Sequence, residues 1–364
     1  MTLATLFRPF STGALDLRTR LVMAPMTRGF SPGGVPGDDV AAYYRRRAEN
    51  EVGLIVTEGT AVDHPSAVSN PAIPRFHGEK ALSGWAAVVR EVHAAGGRIF
   101  PQLWHVGGAF DPAQFADPGR VAVSPSGLRG PGQPAGRALD EAEIAGLIDA
   151  YGQAAADALS IGFDGIELHF AHGYLADQFF WRETNLRDDI WGRDRTRFAA
   201  EIVRECRRRT RRDFPICLRF SQWKLQNYDA RPFATPADLE AFLKPLADAG
   251  VDMFHCSSRR FWTPEFDGSP MNLAGWTKRL TRRPVIVVGS VGLDQEFLVS
   301  RTGVGTTNDR SRFDLLDAML ARDEIDLVAV GRALIADPAW GRKARQGRFD
   351  AVLPYSKAAE AVLA

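Results

Sequence analysis

The sequence is short of cysteine. Its three, Cys206, Cys217 and Cys256, are odd in number and widely spaced, so no CxxC pair exists for zinc or an iron–sulfur cluster and no disulfide framework is suggested. A reducing compartment is expected. An excess of either charge is missing too: 45 Lys+Arg stand against 44 Asp+Glu, a formal net charge of +1. That balance argues against a nucleic-acid binder, which leans basic. Long apolar runs are lacking as well. The longest, such as Pro284–Leu293, fall far short of the roughly 20 residues that span a bilayer, so no membrane association is expected. The first twenty residues, MTLATLFRPFSTGALDLRTR, carry neither the basic n-region nor the apolar h-region of a secretory signal. These absences point to a soluble, cytoplasmic protein. Neither disorder nor coiled coil fits 45% hydrophobic and 24% charged residues. Length alone would allow two or three domains, but no Pro/Ser-rich linker divides the chain, and one domain over residues 1–364 is expected.

What is present is repetition. Eight short apolar runs span the chain: Leu21–Ala24, Leu54–Thr57, Ile99–Leu103, Gly165–His169, Ile216–Phe220, Met253–Ser257, Val285–Val288 and Leu327–Val330. None alternates strictly, as expected of parallel strands buried on both faces. Helical stripes lie between them. Leu82, Trp85, Val88, Val89 and Val92 make one, closed by Gly96-Gly97. Ile144, Leu147, Ile148, Tyr151 and Ala155 make another, opened by Asp140 with Glu143 in a capping-box pattern. A third starts at Thr235-Pro236, carries Leu239, Phe242, Leu243 and Leu246, and stops at Gly250. The strand entries GFDGIELH, AGVDMFHC and DEIDLVAV each turn from helix to strand at an Asp. Eight strands alternating with helices predict a single (β/α)8 TIM barrel, with a doubly wound sheet as the main rival. The Gly- and Pro-rich region from Trp104 to Ala138 would then lie on the C-terminal face, where barrel active sites are built.

The residues at the strand ends carry the candidate chemistry. Gly289-Ser290 and Gly331-Arg332 follow strands seven and eight, where barrels often bind phosphate. There glycine lets backbone N–H groups approach an anion, and an Arg can pair with it bidentately. Ordinary βα turns would use the same residues. Gly303-Val304-Gly305 has no preceding strand and reads as a loop. His169, His172 and Tyr174 follow strand four. Two imidazoles can donate to an electron-rich oxygen and a tyrosine can deliver a proton. The same histidines, with His105 or His255, also suit a metal-dependent hydrolase, or hydrogen-bonded structural roles. Arg219 and Gln102 sit within apolar strands and need partners. Arg219 would either ion-pair with Glu167 or Glu58, or compensate a bound anion. The basic runs Arg45–Arg47 and Arg207–Arg212 read as solvated helix faces.

Seven motifs in register carry a resemblance: MAPMTR, TEG, QLWHVG, HxxHGYLxxQF followed by NxRxDxWG, LRFS, VGS and VGRxLIxDP. Over residues 3 to 340 the chain resembles the Old Yellow Enzyme family of FMN-dependent NAD(P)H:flavin oxidoreductases, or ene-reductases. The resemblance implies FMN as cofactor, NADH or NADPH as reductant, and a small activated alkene, an α,β-unsaturated carbonyl or nitro compound, as substrate. It implies that Gly289, Ser290, Gly331 and Arg332 hold the FMN phosphate and that Arg219 lies near N1 and the C2 carbonyl, where reduced flavin is negative. Gln102 would meet the pyrimidine edge. Pro25, Met26 and Thr27 would run along the ring, with the Thr27 hydroxyl on O4, and Gly59 would leave room for the flavin. His169 and His172 would grip the substrate oxygen while hydride passes from N5 and Tyr174 protonates the α-carbon; phenols would bind the same grip without being reduced. No metal is implied. Thr27 places the chain in a branch distinct from one with Cys there, and the second histidine is Asn in some members. The segment 261–278 departs from the family pattern, with Trp262 and Trp276 as candidate pocket walls. With so few cysteines and an end soon after the barrel, the multidomain iron–sulfur branch is not expected. A non-catalytic flavin-binding barrel is a further alternative, and monomer and homo-oligomer stay open.

Overall fold

A computed structural model describes residues 3–301 and 306–364, apart from 116 and 118. Gly303-Val304-Gly305 lies outside the described residues. Eight strands form the core: β1 (Leu21–Met23), β2 (Leu54–Ala61), β3 (Arg98–Trp104), β4 (Ile166–His169), β5 (Ile216–Phe220), β6 (Met253–Ser257), β7 (Val285–Val288) and β8 (Leu327–Val330). All are parallel, and each pairs with the next in chain order. The ring closes where β8 meets β1, through Val328↔Leu21 and Val330↔Met23. A doubly wound sheet has two edges; this one has none, and the fold is a (β/α)8 barrel.

The main helices are α1 (Asp38–Ala48), α2 (Glu79–Ala94), α3 (Glu141–Ser160), α4 (Arg197–Arg209), α5 (Pro236–Ala249), α6 (Leu273–Thr281), α7 (Phe313–Ala321) and α8 (Trp340–Arg345). Their starts follow local chemistry. Asp140 and Glu143 close a reciprocal capping box on α3, and Thr235 with Asp238 does the same on α5 behind Pro236. Each of the three Asp residues at the strand entries has a shared task. Asp164, Asp252 and Asp326 accept an N–H at the start of the preceding strand, from Ile99, Ile216 and Val285, at 2.8, 2.9 and 2.9 Å. One carboxylate thereby satisfies a donor that the parallel ladder leaves unpaired at the barrel's N-terminal rim.

The interior changes character along the barrel axis. At the N-terminal end it is apolar: Val22, Leu54, Val56, Phe100, Met253 and Ile286 pack together. A hairpin of two short strands (Phe10–Thr12 and Leu15–Leu17) adds Phe10, Leu15 and Leu17 to this cluster and closes that end. Toward the C-terminal end the same inward register carries Gln102, Glu167, His169, Arg219, His255 and Ser257, all buried. Their strands hold them side by side: Gln102 is paired with Glu167, His169 with Arg219, and Arg219 with His255.

One basic run differs from its sequence reading. Arg45 is exposed, but Arg47 is fully buried, with its guanidinium 3.7 Å from the Tyr43 ring centroid and donating to the Leu334 and Ala364 carbonyls. A helix set against the barrel turns one residue in three or four inward, so three consecutive arginines cannot all face water. Arg207 likewise is drawn into bonds with Asp252 and the Gly250 and Phe214 carbonyls.

Candidate active site

The strand ends surround a cavity of about 460 Å³, within the range of small-molecule sites. Seven of the eight strands or their following loops contribute to it. Pro25, Met26, Thr27, Gln102, His169, His172, Tyr174, Arg219, Gly289, Ser290, Gly331 and Arg332 all line it.

One end of the cavity is built by the segments after β7 and β8. Ser290 adopts a left-handed backbone (φ 51°), strained for a non-glycine residue, and its Oγ donates to the Arg259 carbonyl at 2.9 Å. Arg332 is half-buried and donates to the Gln295 and Glu296 carbonyls at 2.7 and 3.3 Å. That brace fixes a guanidinium at the cavity wall with further N–H groups to spare.

The opposite end is a buried polar network centred on Glu167, which is fully buried. Its carboxylate accepts from Gln102 Nε2 at 2.8 Å and His255 Nδ1 at 2.7 Å. Burial alone would push this carboxyl up, but His255, Arg219 and Gln102 outweigh it and hold it below the usual carboxylate range. Burial keeps His255 neutral, so it donates as a neutral imidazole. Arg219 forms no ion pair with Glu167 or Glu58 among the described residues. It donates Nη2 to Ser257 Oγ at 3.2 Å, and its buried Nε has no partner. Glu58 instead accepts the Arg28 and Gly29 amides, both at 2.9 Å, and fixes the turn that carries Thr27. Arg219 is thus a desolvated cation on the cavity wall with an unused N–H, which calls for an acceptor from a ligand.

Above Arg219 lie three rings. His169 stands 5.1 Å from His172 and 5.2 Å from Tyr174, centroid to centroid. Burial and then the Arg219 charge hold both histidines well below their ordinary pKa, so both are neutral at pH 7. His169 Nδ1 is buried without a partner. His172 stacks on Trp223 at 4.3 Å, and its Nε2 lies 2.8 Å from Ser257 Oγ. Ser257 Oγ thus links Arg219 to His172. Two neutral imidazoles and a phenol on one face can hold and protonate an oxygen-bearing acceptor. Among the described residues no three of His, Cys, Asp and Glu converge on a point that would hold a metal ion. The cation beside the histidines also disfavours a second positive charge there.

Gly59, set beside the flavin by the resemblance, and Trp262 and Trp276, read as candidate pocket walls, take other places. An added Cβ at Gly59 would sit 2.3 Å from Trp104 Cε3, so the room at Gly59 is filled by the Trp104 indole, and Gly59 does not line the cavity. Trp262 is not a wall of it either. It packs on Phe261 at 5.2 Å and under Arg312 at 5.5 Å. Trp276 packs on Phe266 at 5.5 Å, on α6. The segment 261–278 instead gives Thr263, Pro264, Glu265 and Leu273 to a neighbouring cavity of about 330 Å³. Among the walls that sequence reasoning missed are Trp104, Trp223, Tyr228, Lys357 and Glu360. Trp104 follows Gln102 by two, the inward period of a strand, and that signal was available. The others come from loops and from a distant C-terminal turn (Lys357–Ala361) that crosses the cavity mouth, held by Arg28 Nη2 on the Glu360 carbonyl at 3.1 Å.

A profile of the NADH:flavin oxidoreductase / NADH oxidase family matches residues 5–351. The chain is 33% identical over 356 residues to an NADH oxidase from Thermoanaerobacter brockii, covering 94% of this chain and 51% of that protein. It therefore spans about half the length of this relative, as of several other curated relatives it matches. Among solved structures it is similar to the old yellow enzyme homologue from Zymomonas mobilis (TM-score 0.78, 27% identity, 96% of this chain and 94% of that one). It is also similar to a morphinone reductase solved with tetrahydroNAD (TM-score 0.77, 29% identity, 94% and 91%).

Proposed function

We propose, from the premise that the chain belongs to the NADH:flavin oxidoreductase / NADH oxidase family, that it reduces the C=C bond of small activated alkenes. The family is one of FMN-dependent oxidoreductases that use NADH or NADPH. Bound FMN would supply the redox chemistry, hydride transfer between the nicotinamide and an acceptor carbon.

The residues present suit that cofactor. Gly289, Ser290, Gly331 and the braced Arg332 would hold the phosphate; Pro25, Met26 and Thr27 would run along the ring; Gln102 and Arg219 would meet its polar edge. The unpartnered Arg219 Nε supports this fit, since a buried cation with an idle donor favours a ligand that is electron-rich there. Residues 1–364 then act as one FMN-binding barrel.

His169 and His172 donate to the carbonyl or nitro oxygen of the alkene. Negative charge grows on that oxygen as the β-carbon takes hydride, and each preorganised donor is worth about 10²–10³-fold. Because both imidazoles are neutral, they stabilise the oxygen without giving up a proton. Tyr174, 5.2 Å from His169 and 4.9 Å from the Trp104 ring, supplies the proton to the α-carbon, a contribution of about 10²–10⁴-fold. The carrying observation is the convergence of Arg219, both neutral histidines and Tyr174 on one cavity.

The test is anaerobic stopped-flow on protein purified with FMN. NADPH or NADH bleaches the flavin absorbance, and 2-cyclohexenone then restores it. A folded preparation that refuses FMN overturns the proposal, as does a bleached flavin that the enone does not reoxidise. Among the described residues no helix is long and apolar enough to cross a membrane.

A further inference from the structure

We propose that the buried ion pair Lys224–Asp177 is the positioning device for the His172–Gly173–Tyr174 turn, and through it for the oxygen grip and the proton donor; this rests on the function proposed above. Neither residue lines the cavity, and both are buried, with side chains 1% and 3% exposed. Lys224 Nζ lies 2.6 Å from Asp177 Oδ1 and also donates to the Ser221 carbonyl at 3.0 Å. The other carboxylate oxygen, Asp177 Oδ2, accepts the Gly173 amide at 2.7 Å. The pair therefore joins three things: the loop after β5, the short helix Leu175–Phe180, and the backbone between His172 and Tyr174.

That backbone needs holding. His172 has φ 66° and Gly173 φ 78°, two left-handed residues in succession. A β-carbon on His172 disfavours this conformation, which persists only when its surroundings enforce it. The enforcement is visible. His172 N–H donates to Ser221 Oγ at 3.0 Å, and the His172 carbonyl accepts from Leu225 N–H at 3.2 Å, a one-residue parallel bridge between the two loops. Both contacts come from the segment anchored by Lys224. On the other side, an added Cβ at Gly173 would meet Gln226 Oε1 at 2.0 Å, so the same loop packs tightly over the turn. A buried charge pair is a costly way to stabilise a fold. Here one of its carboxylate oxygens holds the amide of Gly173, the residue between the two functional rings, and its ammonium holds the Ser221 carbonyl of the loop that braces His172.

The experiment uses flavin-replete protein and 4-methoxyphenol, whose binding beside the flavin is followed by its long-wavelength charge-transfer absorbance. For Lys224→Met the expected result is a phenol Kd raised about tenfold or more, since displacements near 1 Å in such sites have effects up to about 10²-fold. FMN content and FMN affinity are expected to stay at the wild-type level. A general loss of stability would lower the melting temperature but leave the phenol Kd of the folded fraction unchanged, and that outcome overturns the proposal. Should Lys224→Met not fold, Asp177→Asn with Lys224→Met removes both buried charges while keeping an oxygen for the Gly173 amide. The phenol Kd is again expected to rise, because the anchor on Ser221 is gone; wild-type affinity overturns the proposal. Wild-type protein that binds FMN but shows no phenol absorbance would defeat the proposed function itself.

Discussion

Gly59→Ala tests whether the glycine of the TEG motif makes room for the cofactor or for a protein side chain. The added methyl carbon would stand 2.3 Å from Trp104 Cε3, against a carbon–carbon contact distance of about 3.5–4.0 Å, so the indole must retreat by about 1.2–1.7 Å. Trp104 is buried at 5% exposure and cannot swing into solvent; overpacking of this kind costs about 1–3 kcal/mol. Thermal unfolding should register it as a drop of a few degrees. The functional effect should be larger in proportion. Trp104 stands 4.9 Å from the Tyr174 ring and 5.9 Å from the His169 ring, so its displacement carries both groups off their positions. A shift near 1 Å is worth up to about 10²-fold in rate, read as slower flavin reoxidation by cyclohexenone. The decisive measurement is a double-mutant cycle. In a Trp104→Ala background Gly59→Ala should be nearly neutral, giving a coupling energy of about 1–3 kcal/mol. Equal destabilisation in both backgrounds, or loss of FMN binding regardless of the residue at 104, would refute the reasoning.

Three further outcomes are expected. Tyr174→Phe slows enone reduction about 10²–10⁴-fold while flavin bleaching by NAD(P)H stays nearly intact; stopped-flow of the two half-reactions checks it, and equal loss in both removes the proton-donor role. His169→Ala weakens phenol binding, measured by absorbance titration, and alters nicotinamide binding; unchanged phenol affinity counts against the oxygen grip. Acidification below about pH 6.5 should lower the melting temperature, because His105, His169, His172 and His255 are all held neutral by burial. The unfolded chain then binds more protons than the folded one, so stability rises with pH up to the unfolded value and is lost on going below it, at up to about 1.4 kcal/mol per unit for each histidine. Glu58, which burial pushes up to about 7, opposes this, as do Asp177 and Glu265, also raised by burial, while His64 and His77, lowered by burial, add to the four histidines. A melting temperature that does not fall between pH 7 and 5.5 would be inconsistent with four neutral buried imidazoles.

Much of the barrel was legible because a parallel strand buried on both faces has a local signature, a short apolar run, that tertiary contacts do not alter. The runs at Ile216–Phe220, Met253–Ser257, Val285–Val288 and Leu327–Val330 are the observed strands to the residue. β2 runs on to Ala61 instead of ending at Thr57, because its register on β3 shifts between Val56 and Gly59. That irregularity lets Thr57 Oγ1 take the Gln102 amide at 3.0 Å, a contact no periodicity announces. The N-terminal hairpin was invisible for a related reason: two three-residue strands are too short to show a period, and only packing on Phe100 and Met253 gives Phe10 and Leu17 a reason to be apolar.

The candidate site divides the same way. Gln102, His169 and Arg219 are polar residues placed where a strand's inward period meets its C-terminal end, and that combination is readable from one sequence. What the hydrogen bonds of those residues are spent on is not readable, and that settles Arg219. Sequence reasoning gives Arg219 either an ion pair with Glu167 or Glu58 or a bound anion to compensate, since a buried cation requires a counter-charge. The structure separates charge from hydrogen bond. Glu167 lies close enough to compensate Arg219 electrostatically, yet both carboxylate oxygens are occupied by Gln102 and His255, while Glu58 is committed to two backbone amides. Neither carboxylate takes a proton from Arg219, and its Nε has no hydrogen-bond partner. The barrel can thus bury a cation at tolerable cost and still present a strong donor to whatever fills the cavity.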